Sequence, residues 1–191
     1  MNKEGLNEYE GKLPVLNEEQ KRFLKSVARE AVERYVRGEP QRKLLTYDPA
    51  LNTSGWGVFV TLKVKGKLRG CIGCISSNEP LPEAVAELAI KSASSDPRFI
   101  PIGPAELDDL DIEISILGPL EEVKDYNEII IGKHGLVVEG FGRHGLLLPQ
   151  VALEYGLDVS AFLAQTCIKA GLPKDAWKSG AKVYKFLAEF F

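Results

Sequence analysis

Apolar residues recur every three to four positions along the first long patterned stretch of the chain, after Asn17, which predicts an amphipathic helix. Asn17 is suited to cap this helix, and Gln20 at the third helical position would complete a capping box. Gly38 and Pro40 are suited to end it. The apolar face consists of Phe23, Leu24, Val27, Ala28, Ala31, Val32, Tyr35 and Val36.

Strict alternation of apolar and polar residues follows a loop over residues 39–55 and predicts two strands. The first strand covers residues 56–64 and the second covers 68–75, with Lys65-Gly66-Lys67 as the turn between them. The two strands therefore form a β-hairpin.

The length of the hairpin loop decides which side chains share a face. A three-residue loop places Leu62 opposite Gly70 and makes one face almost wholly aliphatic. A two-residue loop places Leu62 opposite Arg69 and mixes polar with apolar residues on both faces, so we favour the three-residue loop. The other face then carries Phe59, Thr61, Lys63, Arg69 and Cys71.

Helical and strand patterns are interspersed over the rest of the chain. They predict a helix from about Pro82 to Ser95, a strand at 111–117, a Gly-rich hairpin within 129–148, a helix at 159–170 and a closing strand at 182–190. This order indicates an α+β fold, with a mixed or antiparallel sheet packed by helices, rather than a doubly wound parallel sheet.

Composition places the chain among globular proteins. Its 191 residues are 45% hydrophobic and 27% charged, with a formal net charge of −3, which predicts a single domain over 1–191 with a polar N-terminal extension over 1–16. The acidic balance argues against general binding to nucleic acid.

No apolar run is long enough for a membrane helix, and residues 1–11 are too polar for a signal peptide, so we expect a cytoplasmic protein without membrane attachment. Three cysteines in that compartment predict no structural disulfide.

The segment Leu68-Arg69-Gly70-Cys71-Ile72-Gly73 is the strongest candidate for chemistry. A guanidinium close to a thiol favours the thiolate, and glycines allow a ligand to approach the backbone closely. Cys71 is therefore a candidate nucleophile, with Arg69 as its activating cation and Gly70 and Gly73 as an approach surface or oxyanion site. The alternative is an inert cysteine half buried in a strand, because free cysteine is among the most buried residue types.

Cys71 and Cys74 have the Cys-x-x-Cys spacing of zinc knuckles and thiol oxidoreductases. In a strand, however, residues three apart point to opposite faces, and the chain has no second ligand pair of similar form. We therefore predict no metal site. Cys167 lies in line with the apolar positions of its helix and is interpreted as a core residue.

Three further residues are candidates for a site. His134 is the better of two histidines as a general base for Cys71, since His144 lies in a Gly-rich turn. Arg98 either pairs with Asp96 structurally or, if it converges with Arg69, binds an anion such as a carboxylate or phosphate. Gln150 follows a proline at a predicted strand end and either binds a ligand or bonds to neighbouring backbone.

A basic stretch runs along the first hairpin, formed by Lys63, Lys65, Lys67 and Arg69. Its plain interpretation is a solvated hairpin tip that protects a sheet edge. Contact with RNA is the alternative, but Phe59 is the only aromatic residue nearby on that face, and single-strand binding normally relies on several such rings.

Five strings, in this order along the chain, resemble the AMMECR family. They are 68–73, Asp96-Pro97-Arg98-Phe99, 132–136, Leu147-Leu148-Pro149-Gln150-Val151 and Lys169-Ala170-Gly171. The resemblance covers roughly 17–191 and implies one α+β domain with a main lobe and a smaller lobe in the central part of the chain. It also implies association with Memo-type and radical-SAM proteins, but no settled reaction. Relatives often differ at Cys74 and Leu157, so we assign these two residues no family role.

Two functional hypotheses follow. In the first, the protein is a binding domain whose working surface is the Arg69/Cys71 face, with a small anionic ligand or a partner protein docked there. The Phe190-Phe191 terminus then adds an apolar contact or homodimer surface. In the second, Cys71 is the nucleophile of an enzyme acting on a small anionic substrate, with His134 as its base. Only the second needs a perturbed thiol with a base within reach.

Overall fold

The protein is described from a computed structural model, which covers residues 13–44 and 48–191. Four α-helices are present there: α1 (Glu18–Arg37), α2 (Leu81–Ser94), α3 (Pro149–Glu154) and α4 (Val159–Lys169). The strands are β1 (Gly57–Val64), β2 (Lys67–Cys74), β3 (Leu110–Leu117), β4 (Glu121–Glu122), β5 (His134–Gly140), β6 (Arg143–Leu147) and β7 (Lys182–Phe190). Most of the predicted N-terminal extension over 1–16 lies outside the described residues.

Two compact units divide the described chain. The N-terminal unit comprises residues 15–117 with 189–191, and the C-terminal unit comprises residues 13–14 with 118–188. Both contain helices and antiparallel strands, which confirms the predicted α+β class. No helix in the described part of the chain is both long and apolar enough to cross a bilayer.

In the N-terminal unit, strands β2, β1 and β3 pair antiparallel in that order, and α1 and α2 pack on one face of this sheet. The core lies between them, because Val58, Val60 and Leu62 of β1 are fully buried on that face. At the far edge, the backbone of Phe191 pairs in both directions with Ile114 of β3. The sheet therefore has one face covered by helices and one face that carries polar side chains.

Helix α1 begins as predicted. Asn17 accepts a hydrogen bond from the N–H of Gln20 while the Gln20 side chain accepts from the N–H of Asn17, so the capping box is complete. Gly38 ends the helix in the left-handed conformation, with a φ of 68°. Both predictions are confirmed.

The turn of the first hairpin differs from the prediction. Lys65 and Gly66 form a two-residue turn with φ angles of 51° and 74°, so the predicted three-residue loop is wrong. The predicted face pairs, with Leu62 opposite Gly70, are nevertheless confirmed. A β-bulge reconciles the two findings: Leu68 pairs with Lys63 and Gly70 with Leu62, which leaves Arg69 as the extra residue.

The C-terminal unit contains the second hairpin. Strand β5 pairs antiparallel with both β6 and β7, and β4 pairs with the far side of β7. Helix α4 packs against β5 and β6 and buries Phe162, Leu163 and Cys167. Cys167 is thus a core residue, as predicted.

Candidate functional site

Arg69 is directed by the bulge towards the segment that follows α2. Its Nε donates to Glu106 at 2.6 Å, and its Nη2 reaches the other oxygen of the same carboxylate at 3.2 Å. Nη1 donates to the carbonyl of Ile100 at 2.6 Å, and Nη2 to that of Pro101 at 3.1 Å. With only 14% of the side chain exposed, Arg69 holds this segment against the sheet. Glu106 and two carbonyls thus bind the guanidinium, and activation of Cys71 by Arg69 stays a prediction.

Acidic residues lie opposite the basic stretch of the first hairpin. Lys63 pairs with Glu113 at 3.1 Å and Lys65 with Asp109 at 3.2 Å, and Arg69 pairs with Glu106. Three of the four basic residues are thereby paired with an acid. This arrangement does not favour the alternative of an RNA contact, which needs an excess of positive charge.

Gly70 allows helix α2 to lie directly on the sheet. A Cβ on Gly70 would stand 2.0 Å from the carbonyl oxygen of Ser92, and the Ser92 hydroxyl is inserted between the strands. That hydroxyl accepts from the N–H of Ile72 at 2.9 Å and donates to the carbonyl of Val60 at 2.8 Å. Protein backbone thus occupies the space over Gly70, which corrects its interpretation as an approach surface.

Gly73 has a comparable packing role on the other face. A Cβ there would stand 2.2 Å from Cγ of Phe59, so the Phe59 ring lies over the glycine. The ring fills the space that an oxyanion site would need. We therefore leave Gly73, like Gly70, out of the site.

Asp96 is the residue that organises the surroundings of Cys71. Its carboxylate accepts the backbone N–H of Cys71 at 2.9 Å and the Nε and Nη2 of Arg98 at 2.9 and 2.7 Å. The hydrogen bonds from Arg98 are the largest cause that holds the pKa of Asp96 far below its ordinary value, and burial opposes them. Of the two interpretations of Arg98, the structural pair with Asp96 is observed, whereas the bond from Asp96 to the backbone of Cys71 was not anticipated.

Arg98 is the solvent-facing member of its pair with Asp96. Its side chain is 49% exposed although that of Asp96 is only 2% exposed, so solvent meets the guanidinium side of the pair. The pKa of Arg98 is raised, mainly by its hydrogen bond to Asp96 against the opposing effect of burial. Asp96 therefore links a half-exposed cation to the backbone of Cys71.

The Cys71 side chain is partly exposed on the polar face of the sheet. Thr61, directly opposite on β1, donates its hydroxyl to the Cys71 sulfur at 3.3 Å. At Phe99, the guanidinium carbons of Arg98 and Arg69 lie 5.3 and 6.0 Å from the centre of the ring, so the two cations share one aromatic side chain.

Comparison with known proteins agrees with this architecture. The AMMECR1 family model matches residues 25–191. The chain belongs to the AMMECR1 family. A protein of Methanothermobacter thermautotrophicus is 45% identical over 183 residues, covering 92% of this chain and 95% of its own. The crystal structure of the uncharacterized protein PH0010 from Pyrococcus horikoshii is 43% identical, with a TM-score of 0.82 over 88% of each chain.

The five strings that carry the AMMECR1 resemblance fall into two groups. Residues 68–73 and 96–99 meet in the N-terminal unit through the Cys71–Asp96 bond, whereas the other three strings belong to the C-terminal unit. His134 and Gln150 are therefore in a different unit from Cys71.

His134 in this AMMECR1 chain is engaged by its own unit. Its Nδ1 accepts the N–H of Ile130 at 3.1 Å, and only 8% of the residue is exposed. Burial lowers its pKa, and the charges of Lys185 and Lys133 add to the decrease. The ring nitrogen that a general base would use is thus occupied by backbone.

Gln150 lies in the first turn of α3 rather than at a strand end, which corrects the prediction. Its Oε1 is buried and has no hydrogen-bond partner within the described residues. Cys74 points to the helix-covered face, in register with the buried Val58, so the two cysteines face opposite sides as predicted. No group of three or more His, Cys, Asp or Glu side chains within 13–44 and 48–191 could hold a metal ion.

Proposed function

We propose that this AMMECR1-family protein binds a small carboxylate or phosphate at Arg98, directly beside the Cys71 thiol. The observation that carries the proposal is the double role of Asp96. One buried carboxylate holds both the backbone N–H of Cys71 and the half-exposed guanidinium of Arg98, so the cation is tied to the strand position that carries the thiol.

The centre of the site shifts from the predicted Arg69/Cys71 pair to Arg98/Cys71. All three nitrogens of Arg69 already donate, to Glu106, Ile100 and Pro101, and its side chain is only 14% exposed. Arg98 uses Nε and Nη2 on Asp96, and its Nη1 is directed elsewhere. A planar guanidinium can bond to a carboxylate on one edge while it offers donors to a second anion on another.

The charge balance of the site limits its affinity. Because Asp96 neutralises the charge of Arg98, an anion is not strongly attracted by the net charge of the pair. It is held mainly by directed hydrogen bonds from the guanidinium, which lies closer to it than the carboxylate does. We expect dissociation constants in the millimolar range for inorganic phosphate, and tighter binding only for ligands that also contact the protein around Arg98.

Protection of Cys71 from alkylation tests the proposal. Full-length protein is treated with iodoacetamide, a neutral reagent, at increasing phosphate or succinate and constant ionic strength, and each cysteine is quantified by mass spectrometry. Saturable protection of Cys71 without protection of Cys74, which faces the other side of the sheet, is expected. Arg98→Gln keeps one N–H for Asp96 but removes the cation, and it should abolish the protection.

Protection that is absent, or that remains unchanged in Arg98→Gln, would contradict the proposal. Arg98→Lys is the matched control, because it retains the charge while it loses the planar set of donors. It should therefore retain part of the protection.

The enzymatic alternative is supported by one observation, the hydroxyl that Thr61 donates to the Cys71 sulfur. It requires a general base, and His134, the predicted one, uses its Nδ1 to accept a backbone N–H in the other unit. Alkylation of Cys71 in the wild type and in Thr61→Ala tests it, since loss of the hydroxyl should slow a nucleophile that depends on this hydrogen bond. Partners of the Memo or radical-SAM type, a homodimer and the cytoplasmic location remain predictions from the sequence.

A further inference from the structure

Segment 97–101 presents apolar side chains to solvent before and after Arg98. Pro97, Ile100 and Pro101 are exposed, and Ile100, at 80%, is among the most exposed large apolar residues in the part of the chain that the structure describes. A single exposed apolar residue is common on protein surfaces. Here, however, three of them flank the cation of the proposed anion site, so this segment combines positive charge with apolar area.

Hydrogen bonds hold the backbone of segment 97–101 in place. The carbonyls of Ile100 and Pro101 accept from the guanidinium of Arg69 at 2.6 and 3.1 Å. Directly after the segment, the N–H of Ile102 donates to the carbonyl of Ala93 in α2 at 2.8 Å. The exposed apolar side chains are therefore carried by a backbone that is already ordered, and a ligand that covers them has little ordering of the protein to oppose its binding.

Phe99 lies between the cation and the apolar part of the segment. Its half-buried ring has the guanidinium carbon of Arg98 over it at 5.3 Å, while Asp96 binds the edge formed by Nε and Nη2. Nη1 is left for an anion. Ile100 follows Arg98 by two residues, so their Cα atoms are at most about 7.6 Å apart. A ligand with a short carbon linker can therefore contact both side chains.

The charges around the segment favour a ligand that does not depend on charge alone. Asp96 offsets the charge of Arg98, just as Glu106 offsets that of Arg69. Adding more negative charge to a ligand therefore gains little affinity. Contact with apolar surface is independent of this balance and can add affinity where charge does not. A monocarboxylate with an apolar group is accordingly expected to bind more tightly than a wholly polar anion of higher charge.

We propose that the anion bound at Arg98 is the carboxylate of a small amphipathic molecule, in which a short carbon linker joins the carboxylate to an aromatic or branched aliphatic group. The carboxylate accepts from Nη1 of Arg98, and the apolar group covers Ile100 and the exposed part of the Phe99 ring. The inference rests on the proposed anion site at Arg98 and names the class of ligand that this site takes.

A series of carboxylates tests the inference. Acetate, 3-methylbutyrate and 3-phenylpropionate carry the same charge and increasing apolar area. Each is titrated into the full chain at constant ionic strength, and NMR follows the Nε–H of Arg98 and the δ1-methyl group of Ile100. For 3-phenylpropionate both signals should shift along one saturable curve, and its dissociation constant should be lower than that of acetate by about fivefold or more. 3-Phenylpropanol, which has the same apolar group without the charge, should bind more weakly than 3-phenylpropionate.

Ile100→Ser and Ile168→Ser form a matched pair of variants. Ile100 is 80% exposed and Ile168, on α4 in the C-terminal unit, is 51% exposed, so neither change should unfold the protein. Ile100→Ser should remove the advantage of 3-phenylpropionate over acetate while leaving the binding of acetate unchanged. Ile168→Ser should keep the full advantage. An advantage of equal size in Ile100→Ser and the wild type would overturn the inference.

Failure of this inference can be told apart from failure of the anion site. Saturable shifts at Arg98 with phosphate and acetate, without tighter binding of 3-phenylpropionate, would overturn the amphipathic ligand and leave the anion site standing. Absence of a saturable shift at Arg98 with every anion would overturn both proposals. Binding of 3-phenylpropionate that is unchanged in Arg98→Gln would overturn the inference as well, because its carboxylate would then not be held by Arg98.

Discussion

Replacing Gly70 by alanine should damage the N-terminal unit more than a single methyl group normally does. The new Cβ would lie 2.0 Å from the carbonyl oxygen of Ser92, whereas ordinary contacts begin near 3.4 Å, so α2 must move away from the sheet by more than 1 Å. That movement also withdraws the Ser92 hydroxyl from between Ile72 and Val60. The substitution therefore combines overpacking with the loss of two buried hydrogen bonds.

The expected cost follows from these two parts. Overpacking of a tight contact costs about 1–3 kcal/mol, and each of the two lost hydrogen bonds about 1 kcal/mol, so Gly70→Ala should lower the free energy of unfolding by about 3–5 kcal/mol. For a chain of this size that corresponds to a decrease in Tm of roughly 6–20 °C. Urea unfolding is followed by the fluorescence of Trp56, which is buried in this unit, in a Trp177→Phe background.

Gly103→Ala is the matched control for this prediction. Gly103 has a φ of −104°, and a Cβ there would meet only a carboxylate oxygen of Glu106 at 3.9 Å. Its free energy of unfolding should change by less than about 1 kcal/mol, since the backbone conformation suits alanine. If both variants lost the same stability within about 0.5 kcal/mol, the close approach of α2 to Gly70 would be refuted.

Three further outcomes are expected. Ser92→Ala, which removes the bridge without adding bulk, should cost about 1–3 kcal/mol in urea unfolding, and no loss would contradict the bridging geometry. The pKa of His134 is lowered in the folded state, so as the pH falls below about 6.5 the unfolded chain takes up a proton first and stability is lost. Calorimetry of His134→Gln should show a smaller loss of stability between pH 7 and 5 than the wild type. An identical loss in the two proteins would refute this cause. Arg69→Lys cannot reproduce the fork on Glu106 and the carbonyl of Ile100, so limited proteolysis near Ile100 should be faster than in the wild type.

Local signals in the sequence were sufficient for most of the elements. The capping box at Asn17, the left-handed Gly38 and the alternation of the strands all depend on residues close together in the chain, and the structure confirms them. The two-residue hairpin turn was missed because its first residue, Lys65, has a positive φ of 51°. Turns of this kind normally carry Asn, Asp or Gly at that position, so lysine gave no signal for it. The bulge at Arg69 then restored the register that the hydrophobic pattern requires.

The candidate site depended on contacts between segments that are distant in sequence. Asp96 lies 25 residues from Cys71, and Glu106 lies 37 residues from Arg69. The residue types were visible in the sequence, but nothing in their spacing indicated which acid would meet which base. In the structure Glu106 binds Arg69, and Asp96 binds both Arg98 and the backbone of Cys71.

Helix α3 was missed for a different reason. It has only six residues, too few for a helical period to be recognised, and it begins with Pro149 directly after a strand. The sequence analysis treated this segment as the end of a strand, and so assigned Gln150 to a strand instead of to α3. A proline followed by Gln-Val-Ala-Leu-Glu was the available signal, since proline is favoured in the first turn of a helix.

The most direct test of the central claim is a phosphate titration of the folded, isotopically labelled protein observed by NMR at the Nε–H of Arg98 and the backbone amide of Cys71. Both groups donate to Asp96, so an anion bound at Arg98 should shift both signals along one saturable curve, and the Cys71 shift should disappear in Arg98→Gln. Signals that stay in place, or that change linearly with phosphate without saturating, would contradict an anion site beside Cys71.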